Sequence, residues 1–434
     1  MTRFRLSPGG KLSGRLRVPG DKSISHRAVM FAALASGTSR IEGFLDGADC
    51  LATLNAFRDL GVTARVEGAR VSVDGLGVRG LRAAEGSLDL GNSGTSMRLM
   101  AGILAGQSFD TVLTGDASLS RRPMRRVVDP LTRMGARIRA GEDGTAPLHI
   151  SSSDGLSAID YDSPVASAQV KSAILLAGLY ADGETRVREP QASRDHTERM
   201  LTSFGAVVES RPGYAAIRGG QQLSAMRVIV PADISSAAFF LVGASIAPGS
   251  DLLLEQVGMN PTRTGVIEIL RRMGASIEVE SEGEFGGEPV ADLRVRGAEL
   301  HGIDVPEPLV PSAIDEFPAL FVAAACAQGV TRVTGAAELR VKESDRIGTM
   351  VDGLRQLGVD AEGTEDGALI RGGTIGSAQL HSHGDHRVAM AFAMAGLRAG
   401  GEIRIDDCDN VNTSFPGFAA LAASAGLGIA VDSE

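Results

Sequence analysis

Ile267-Glu-Ile-Leu-Arg-Arg-Met-Gly-Ala-Ser-Ile-Glu-Val279 is the stretch that decides the fold of this chain. Its apolar residues recur at helical spacing as far as Met273, and apolar residues alternate with polar ones after Gly274. A glycine just beyond a helix readily takes the left-handed conformation that ends it, and alternation with period two is typical of a strand. The stretch therefore predicts a helix, a glycine corner and a strand.

The same corner occurs at six places in the chain. Successive copies are about 70 residues apart, which is too long for a solenoid repeat. The copies are Leu60-Gly61-Val62, Met134-Gly135-Ala136, Phe204-Gly205-Ala206, Met273-Gly274-Ala275, Leu357-Gly358-Val359 and, more weakly, Ala425-Gly426-Leu427. Coincidence of a common corner is the alternative. Near-equal spacing favours six similar α/β units, packed as two globular domains of three units each.

The length of the chain also predicts more than one core. At 434 residues it exceeds the usual range of a single domain. A division of the units three and three places one crossing near residues 231–236, and a second near Pro19-Gly20 if the N-terminal strand pairs with the C-terminal half. We therefore expect residues 1–19 and 232–434 to form one discontinuous domain, and residues 20–231 to form the other.

Composition argues against several classes of protein. The formal net charge of −10 and the lack of basic stripes argue against nucleic acid as a partner. Cys50, Cys326 and Cys408 have no zinc-like spacing and are expected to be packed thiols in a reducing cytosol. No apolar signal core or membrane span is recognisable, so a cytoplasmic protein without metal or organic cofactor is expected. Gly75-Leu-Gly-Val-Arg-Gly80 matches the dinucleotide fingerprint, but no long helix follows it and a hairpin turn is expected.

Val18-Pro-Gly-Asp-Lys-Ser-Ile-Ser-His-Arg27 predicts a helix that begins among cations. Ser23 or Ser25 can cap this helix, which is expected to continue through the apolar run at residues 28–35 and to stop at Gly37. Lys22 and Arg27 add full charges to the positive end of the helix dipole. A phosphate or carboxylate would fit there, although a capped surface helix would show the same pattern.

Similar clusters recur along the chain, with Lys or Arg beside Ser, Thr or Gly at a predicted helix start. Arg98, for example, is expected to begin a helix that runs to about Leu104. Each cluster alone is compatible with a solvated face, but their repetition in an acidic chain favours a cleft that binds a polyanionic small molecule between two domains. The clusters are Leu90–Arg98, Ser120–Arg126, Ala166–Ser172, Ser193–Thr197, Arg340–Arg346 and Gly384–Arg387.

Carboxylates join the cations in the C-terminal half. Asp315 and Glu316 begin an otherwise apolar predicted helix at residues 314–325, where a carboxylate needs a partner. Lys342 and Arg346 are expected on one helical face, four residues apart, with Glu343 beside them. Acid–base chemistry, a structural ion pair and a salt-bridged exposed helix are all compatible with these residues.

The assembled motifs resemble the family of 5-enolpyruvylshikimate-3-phosphate synthases along the whole chain, with features of the subfamily often called class II. The motifs that carry the resemblance are Gly20-Asp-Lys-Ser-Ile-Ser-His-Arg27, Leu90–Arg98, Arg122-Pro-Met124, Ser167-Ala-Gln169, Arg340–Arg346, Asp385-His-Arg387 and Thr413-Ser-Phe-Pro416. The resemblance implies an α/β fold, a two-domain inside-out α/β barrel of six βαβαββ repeats, three per domain, with the active site in the interdomain cleft.

The same resemblance implies the reaction and its residues. The 5-hydroxyl of shikimate 3-phosphate attacks C2 of phosphoenolpyruvate while C3 is protonated, and phosphate then leaves. Lys22, Asp315 and Glu343 would be catalytic, with Asp315 as base and Glu343 as proton donor and acceptor at C3. The residues implied for shikimate 3-phosphate are Lys22, Ser23, Arg27, Ser167, Ala168, Gln169, Ser193, Arg194, Asp315 and Lys342. Those implied for phosphoenolpyruvate are Lys22, Gly94, Arg122, Gln169, Glu343, Arg346 and Arg387. A monomer without cofactor or metal is expected.

Departures from the family pattern concern Ala168, His196, Glu338 and Thr413, where many members carry Ser, Tyr, Asn and Lys. Gly94 predicts sensitivity to glyphosate, because larger residues there are associated with resistance. Two alternatives remain. The sister transferase that acts on UDP-N-acetylglucosamine typically has a Cys in the loop at residues 118–124, where this chain has arginines. A non-catalytic protein that binds a phosphorylated metabolite would need the cations without Asp315 and Glu343.

Overall fold

Six glycine corners join helices to strands along the chain, as the repeated motif predicts. In the computed structural model, which describes residues 2–433, all six glycines have positive φ angles between 85° and 114°. Each stands one or two residues beyond the end of a helix and shortly before the start of a strand. The six predicted corners, Gly61, Gly135, Gly205, Gly274, Gly358 and Gly426, are confirmed.

The α-helices are distributed along the chain between groups of strands. They are α1 (Lys22–Leu34), α2 (Ala48–Asp59), α3 (Gly94–Ala105), α4 (Arg125–Arg133), α5 (Ala168–Gly178), α6 (His196–Ser203), α7 (Ile234–Ile246), α8 (Gly265–Arg272), α9 (Val310–Ala313), α10 (Phe317–Cys326), α11 (Arg346–Gln356), α12 (His386–Ala395), α13 (Val411–Ser414) and α14 (Phe418–Ala425). Short 3₁₀ helices occupy Leu119–Arg121, Glu307–Leu309, Ala337–Val341 and Gly396–Arg398. Within residues 2–433, no helix combines the length and apolar character needed to cross a lipid bilayer.

The strands form several small sheets. They are β1 (Thr2–Gly10), β2 (Ser13–Leu16), β3 (Ala35–Glu42), β4 (Thr63–Glu67), β5 (Arg70–Leu76), β6 (Leu88–Asp89), β7 (Thr111–Thr114), β8 (Arg137–Arg139), β9 (Leu148–Ser151), β10 (Leu156–Ser157), β11 (Asp160–Asp162), β12 (Ala181–Asp182), β13 (Glu184–Arg188), β14 (Val208–Arg211), β15 (Tyr214–Arg218), β16 (Leu223–Ser224), β17 (Arg227–Ile229), β18 (Asp251–Gly258), β19 (Ser276–Phe285), β20 (Glu288–Arg296), β21 (Val330–Val333), β22 (Asp360–Gly363), β23 (Ala368–Arg371), β24 (Ala378–His381), β25 (Ile403–Asp406) and β26 (Leu427–Ser433).

The described residues divide into two compact units. Unit 1 contains residues 2–19, 231–284 and 289–433. Unit 2 contains Gly20–Val230 and Phe285–Glu288, the latter from the tip of the β19–β20 hairpin. Nothing in the sequence pattern indicated that this hairpin tip would group with unit 2.

Unit 2 has four sheets, and the three larger ones share one strand order, in which a parallel pair is followed by antiparallel strands. The fourth sheet is the parallel pair β10-β12. The orders of the larger sheets are β17-β3-β5-β4, β6-β7-β9-β8 and β11-β13-β15-β14. The first of these sheets takes its outer strands from the end of the unit, because β16 and β17, which both pair in parallel with β3, follow the other three strands in the chain. Each larger sheet, with its two helices, is one repeat of the predicted kind.

Two sheets of unit 1 repeat this order with help from the N-terminal segment. β2 pairs in parallel with β18 in the sheet β2-β18-β20-β19, and β1 lies between β25 and β26 in the sheet β24-β25-β1-β26. The remaining sheet has the three strands β21-β23-β22. A parallel bridge between Asp304 and Arg332 stands where its outer strand would be.

Three largely buried helices lie inside each unit. They are α7, α10 and α12 in unit 1 and α1, α3 and α5 in unit 2. In unit 1 every residue of α7 is buried, and in unit 2 every residue of α1 from Ile24 to Leu34 is buried. A helix that is buried on all sides needs apolar or small residues all round, which α7 provides along its whole length and α1 provides from Ala28 onward. α3 and α5 lie so close together that a Cβ atom on Gly102 would stand only 2.2 Å from the backbone oxygen of Ala173.

Several predicted helix boundaries are wrong. The cap of α1 is Asp21, whose carboxylate accepts a hydrogen bond from Ile24 N at 2.9 Å, and neither Ser23 nor Ser25. The helix ends at Leu34 because β3 begins at Ala35 and pairs with β5, so Gly37 lies inside a strand. Gly75–Gly80 forms the end of β5 and a turn, but not a hairpin, because the next strand belongs to another sheet.

Three corrections concern predicted site segments. α3 begins at Gly94 with Ser93 as its cap, so Arg98 lies in the second turn of the helix. α10 begins at Phe317, which places Asp315 just before the helix. Lys342 and Arg346 do not share a helical face, because α11 begins only at Arg346, where Asp345 accepts from Gly348 N and caps the helix.

Candidate active site

The starts of α1, α3 and α5 bring the predicted site residues of unit 2 together. Arg27 is buried, and its Nε donates to Thr197 Oγ1 at 2.7 Å. Its two terminal nitrogens donate to Ser23 O and to Ser172 Oγ, each at 3.0 Å. Burial lowers the pKa of Arg27 to about 10, opposed by the negative charge of Glu198 and assisted by Arg194. Arg27 therefore remains a cation whose position is fixed by several oxygens.

Lys22 is the first residue of α1 and keeps part of its side chain accessible. Its Nζ lies 2.5 Å from Asp49 Oδ2, and the two side chains are 26% and 8% exposed. Asp49 belongs to the first turn of α2. The nearly buried carboxylate of Asp49 thus holds the ammonium group of Lys22, which stays partly accessible at the start of α1. Asp49 could not be recognised from the sequence, because its contact with Lys22 depends on how α1 and α2 pack.

Gln169 is held at both ends of its amide. Arg98 Nη1 donates to Gln169 Oε1 at 2.5 Å, and Gln169 Nε2 donates to Thr95 Oγ1 at 3.1 Å. Thr95 and Arg98 both lie on α3, whereas Gln169 lies in the first turn of α5. The orientation of Gln169 therefore follows from the packing of α3 against α5.

Gly94 stands at the start of α3 beside two arginines. A Cβ atom added to it would lie 3.0 Å from Arg98 Nη1 and 3.3 Å from Arg122 Nη1. Arg122 is anchored from the other direction, since its Nη2 donates to Asn92 Oδ1 at 2.6 Å. The backbone at Gly94 and these guanidinium groups form a cationic surface without an intervening side chain.

Ser167 and Ser193 meet at a buried carboxylate that the sequence did not indicate. Ser167 N donates to Glu189 Oε1 at 2.7 Å, and Ser193 Oγ donates to both carboxylate oxygens of Glu189, at 2.9 and 2.6 Å. Ala168 is the first residue of α5, and Arg194 follows Ser193 in the chain. The predicted residues Ser167, Ala168, Ser193 and Arg194 thus belong to one neighbourhood of unit 2.

The predicted site residues of unit 1 surround Arg346. Its side chain is 1% exposed, and it lies near three carboxylates. The distances are 2.6 Å from Nη2 to Glu343 Oε2, 2.8 Å from Nε to Asp385 Oδ2 and 3.4 Å from Nη1 to Asp315 Oδ1. Burial works against the charged form, but these carboxylates outweigh it and raise the pKa of Arg346. Arg346 is therefore a permanent cation between Asp315 and Glu343.

Asp315 is approached by further cations. Lys342 Nζ lies 3.4 Å from its Oδ1, and Arg387 donates to its backbone oxygen at 3.0 Å. Arg387 also lies 3.9 Å from Oε1 of the buried Glu316. Asp315, Lys342, Glu343, Arg346 and Arg387 are thus brought together in unit 1, although Lys342 precedes the helix on which the sequence placed it.

Two buried carboxylates lie close to these cations, Asp385 beside Arg346 and Glu316 beside Arg387. Burial would raise the pKa of the Asp385 carboxyl, but the charge of Arg346 outweighs it and lowers the pKa. Glu316 Oε1 accepts a hydrogen bond from Ser235, and Arg263 lies 3.7 Å from the same oxygen. Sequence reasoning named Asp385 and Glu316 only as parts of motifs, since their partners are more than thirty residues away.

Nothing in the described part of the chain forms a recognisable metal centre. Residues 2–433 contain no group of three or more His, Cys, Asp or Glu side chains placed to hold an ion. The arrangement in each unit consists of cations fixed by carboxylates and hydroxyls. Such groups can bind phosphates and carboxylates and can exchange protons with a bound molecule.

Comparison with known proteins identifies close relatives. The family model described as EPSP synthase (3-phosphoshikimate 1-carboxyvinyltransferase) matches residues 6–421. A protein named 3-phosphoshikimate 1-carboxyvinyltransferase from Alkalilimnicola ehrlichii is 65% identical over 430 residues, 98% of this chain and 96% of that relative. Its namesake from Nitrosococcus oceani is 63% identical over 427 residues, again 98% of this chain and 96% of that relative.

Solved structures show the same fold. EPSP synthase from Acinetobacter baumannii has a TM-score of 0.92 at 54% identity, over 100% of both chains. The enolpyruvyl transferase NikO from Streptomyces tendae has a TM-score of 0.82 at 19% identity, over 100% of this chain and 99% of NikO, a likeness of fold alone. The predicted enolpyruvyl transferase fold is thereby confirmed. Since the family model spans nearly the whole chain and its relatives exceed 60% identity, the chain belongs to the EPSP synthase family.

Proposed function

We propose that this protein transfers the enolpyruvyl group of phosphoenolpyruvate to the 5-hydroxyl of shikimate 3-phosphate and releases phosphate, as a step of the shikimate pathway. Family membership and the names of the 65% and 63% identical relatives support this activity. The structural observation that carries it is the contact of one buried cation, Arg346, with both Asp315 and Glu343. Two carboxylates beside one fixed cation are suited to a reaction in which one group takes a proton from oxygen and the other gives a proton to carbon and takes it back.

The residues of unit 1 are proposed to move the protons. Asp315 accepts the proton of the 5-hydroxyl, whose oxygen bonds to C2 of phosphoenolpyruvate. Protonated Glu343 gives a proton to C3, which uses the electron pair of the C2–C3 double bond. The bond from C2 to the phosphate oxygen then breaks, and Glu343 takes a proton from C3 so that the double bond forms again. Lys342, Arg346 and Arg387 stabilise negative charge on the reacting groups.

The residues of unit 2 are proposed to hold the anionic groups of both substrates. Lys22, Gly94, Arg122 and Gln169 bind phosphoenolpyruvate. Shikimate 3-phosphate is bound by a set rich in hydroxyls and cations, namely Lys22, Ser23, Arg27, Ser167, Ala168, Gln169, Ser193 and Arg194. The fixed positions of Arg27 and Gln169 support this assignment, because groups held in advance lose little freedom on binding.

We further propose that each unit corresponds to one domain and that both groups of residues act on the same pair of substrates. A monomer suffices, because one chain carries all the assigned residues. The acidic net charge of −10 supports small molecules rather than nucleic acid as partners. The thiols Cys50, Cys326 and Cys408 agree with a cytoplasmic location.

Phosphate release tests the proposed activity directly. Purified protein is incubated with phosphoenolpyruvate and either shikimate 3-phosphate or UDP-N-acetylglucosamine. Release only with shikimate 3-phosphate is expected. Release only with the sugar nucleotide would identify the sister transferase, and release with neither acceptor would contradict both enzymatic functions.

A further inference from the structure

Three charged side chains of unit 2 form a buried cluster around Lys171. Its Nζ lies 3.0 Å from Glu189 Oε2 and 2.9 Å from Glu198 Oε1. The side chains of Lys171, Glu189 and Glu198 are 4%, 0% and 2% exposed. Isolated charges are costly in such surroundings, so a cluster of this kind persists only if each member has partners. Lys171 is therefore committed to groups inside the protein.

The two carboxylates have different surroundings. Glu198 supplies one negative charge to Lys171, and its Oε2 has no hydrogen-bond partner within the described residues. Glu189 uses both oxygens, because Oε1 accepts a hydrogen bond from Ser167 N and the two oxygens share the single hydroxyl proton of Ser193. One carboxylate would be enough to balance the charge of Lys171. The second carboxylate is thus explained by the serines that it holds.

The pKa shifts of Lys171 and Glu198 agree with these different roles of the two carboxylates. Burial would lower the pKa of Lys171, but the charges of Glu198 and Glu189 outweigh it and raise the pKa. Burial raises the pKa of Glu198, with Lys171 opposing the change. Lys171 therefore stays protonated at neutral pH and can offset the charge of Glu189 beside a site proposed to take a phosphate.

The serine contacts fix two segments that carry proposed ligands of the substrate. Ser167 Oγ accepts from Val170 N at the start of α5, which leaves its hydroxyl proton available to a bound molecule. Ser193 is held at its hydroxyl by Glu189 and at its backbone oxygen by Lys171 Nζ, at 3.4 Å. Arg194 follows directly, so the same contacts limit where its side chain can reach.

We propose that Glu189, with its charge offset by Lys171, is a positioning residue that sets Ser167 and the segment at Ser193 and Arg194 for the phosphate monoester of shikimate 3-phosphate. The inference rests on the proposed function, because it names that substrate. Glu189 touches no reacting atom and acts through the serines. It thereby determines affinity for the phosphorylated acceptor and not for phosphoenolpyruvate.

The test compares Glu189→Ala with Glu189→Gln in full-length protein. Glu189→Ala removes acceptors for a backbone N–H and a hydroxyl, so KM for shikimate 3-phosphate should rise by at least about tenfold, while KM for phosphoenolpyruvate changes by less than about twofold. Glu189→Gln keeps an oxygen for Ser167 and should recover most of this loss. Hydrogen exchange at the Ser167 amide should accelerate in Glu189→Ala and return toward the wild-type rate in Glu189→Gln.

Val187→Ala is the matched control, because it removes buried apolar atoms from the strand that leads to Glu189. It should lower the Tm without selecting between the substrates. Equal changes of both KM values in Glu189→Ala, or unchanged exchange at Ser167, would overturn the positioning role. Wild-type protein that transfers nothing to shikimate 3-phosphate would overturn the proposed function and, with it, the substrate named here. A normal wild type with an unaffected Glu189→Ala would overturn the inference alone.

Discussion

Arg346 Nη2 lies 2.6 Å from Glu343 Oε2, although the two residues differ greatly in exposure. The arginine side chain is 1% exposed and the glutamate side chain 28%. The buried guanidinium therefore holds one face of a carboxylate whose other face remains accessible.

Glu343→Gln should lower kcat by about 10²- to 10⁴-fold, because the amide cannot deliver or remove the C3 proton. The fold should survive, since Arg346 keeps its contacts with Asp385 and Asp315. Steady-state kinetics and a thermal unfolding scan measure both effects. Glu362→Gln, which changes an exposed residue of β22, serves as control. Near-normal turnover in Glu343→Gln would remove Glu343 from the proton transfer.

Lys22→Ala should lower kcat/KM for phosphoenolpyruvate by about 10²-fold or more, because a cation at the start of α1 is lost together with its charge-assisted hydrogen bonds. The nearly buried Asp49 also loses its cation in this variant. Lys22→Arg retains the charge and should recover part of the activity. Kinetics of both variants against wild type provide the measurement, and equal activity of Lys22→Ala and wild type would contradict the assigned role.

Gly94→Ala should weaken phosphoenolpyruvate binding by roughly tenfold, because the new methyl group displaces the ends of Arg98 and Arg122. We also expect wild-type protein to be inhibited by glyphosate in competition with phosphoenolpyruvate, and Gly94→Ala to be inhibited less. Inhibition titrations at several phosphoenolpyruvate concentrations test this. Gly86→Ala is the control, since a Cβ there meets nothing within 4 Å. Wild-type inhibition that does not depend on phosphoenolpyruvate would contradict the prediction.

His26 should make the protein less stable in mild acid. Burial, helped by the charges of Lys22 and Arg27, holds the pKa of His26 well below its ordinary value of 6.5. Below about pH 6.5 the unfolded chain binds a proton at this residue and the native protein does not, so the free energy of unfolding falls as pH falls, by at most ~1.4 kcal/mol per pH unit.

Urea unfolding of wild type and His26→Asn at pH 7, 6 and 5 measures this contribution. Asparagine can still hydrogen-bond to Thr53, the partner of His26 Nδ1, but does not titrate. The variant should show a smaller loss of stability on acidification, whereas the control His301→Asn, at an exposed position, should behave as wild type. Parallel pH profiles of wild type and His26→Asn would contradict the prediction.

The sequence predicts those parts of the fold that depend on local chemistry. The six glycine corners were predictable because a positive φ angle after a helix favours glycine at each of them. The cap of α1 was not predicted correctly, since Asp21, Ser23 and Ser25 are all good capping residues and the choice among them depends on where α1 packs. Gly37 was misread as a helix stop because a strand glycine and a helix-ending glycine look alike in sequence.

Some residues of the candidate site are likewise recognisable from the local sequence, and others are not. Lys22, Arg27, Arg122 and Arg346 stand out in sequence as cations next to small polar residues. Glu189 does not stand out, because a glutamate near the end of a strand usually faces solvent. Its burial follows from Lys171, eighteen positions earlier, and from serines on two separate segments. Such partners are known only once the helices and strands have been placed.

The pairing of β1 with β26 has a consequence for how the chain is made. Phe4 pairs with Val431, and β2 pairs with β18, so β1 and β2 are synthesised long before these partners. Unit 2 contains its own strands except for the hairpin tip and can begin to fold on the ribosome, while unit 1 waits for its last strand. A nascent chain that stalls before β26 would expose the edge of β1, and such an edge invites aggregation. Truncation at either end should therefore reduce soluble yield in the same way.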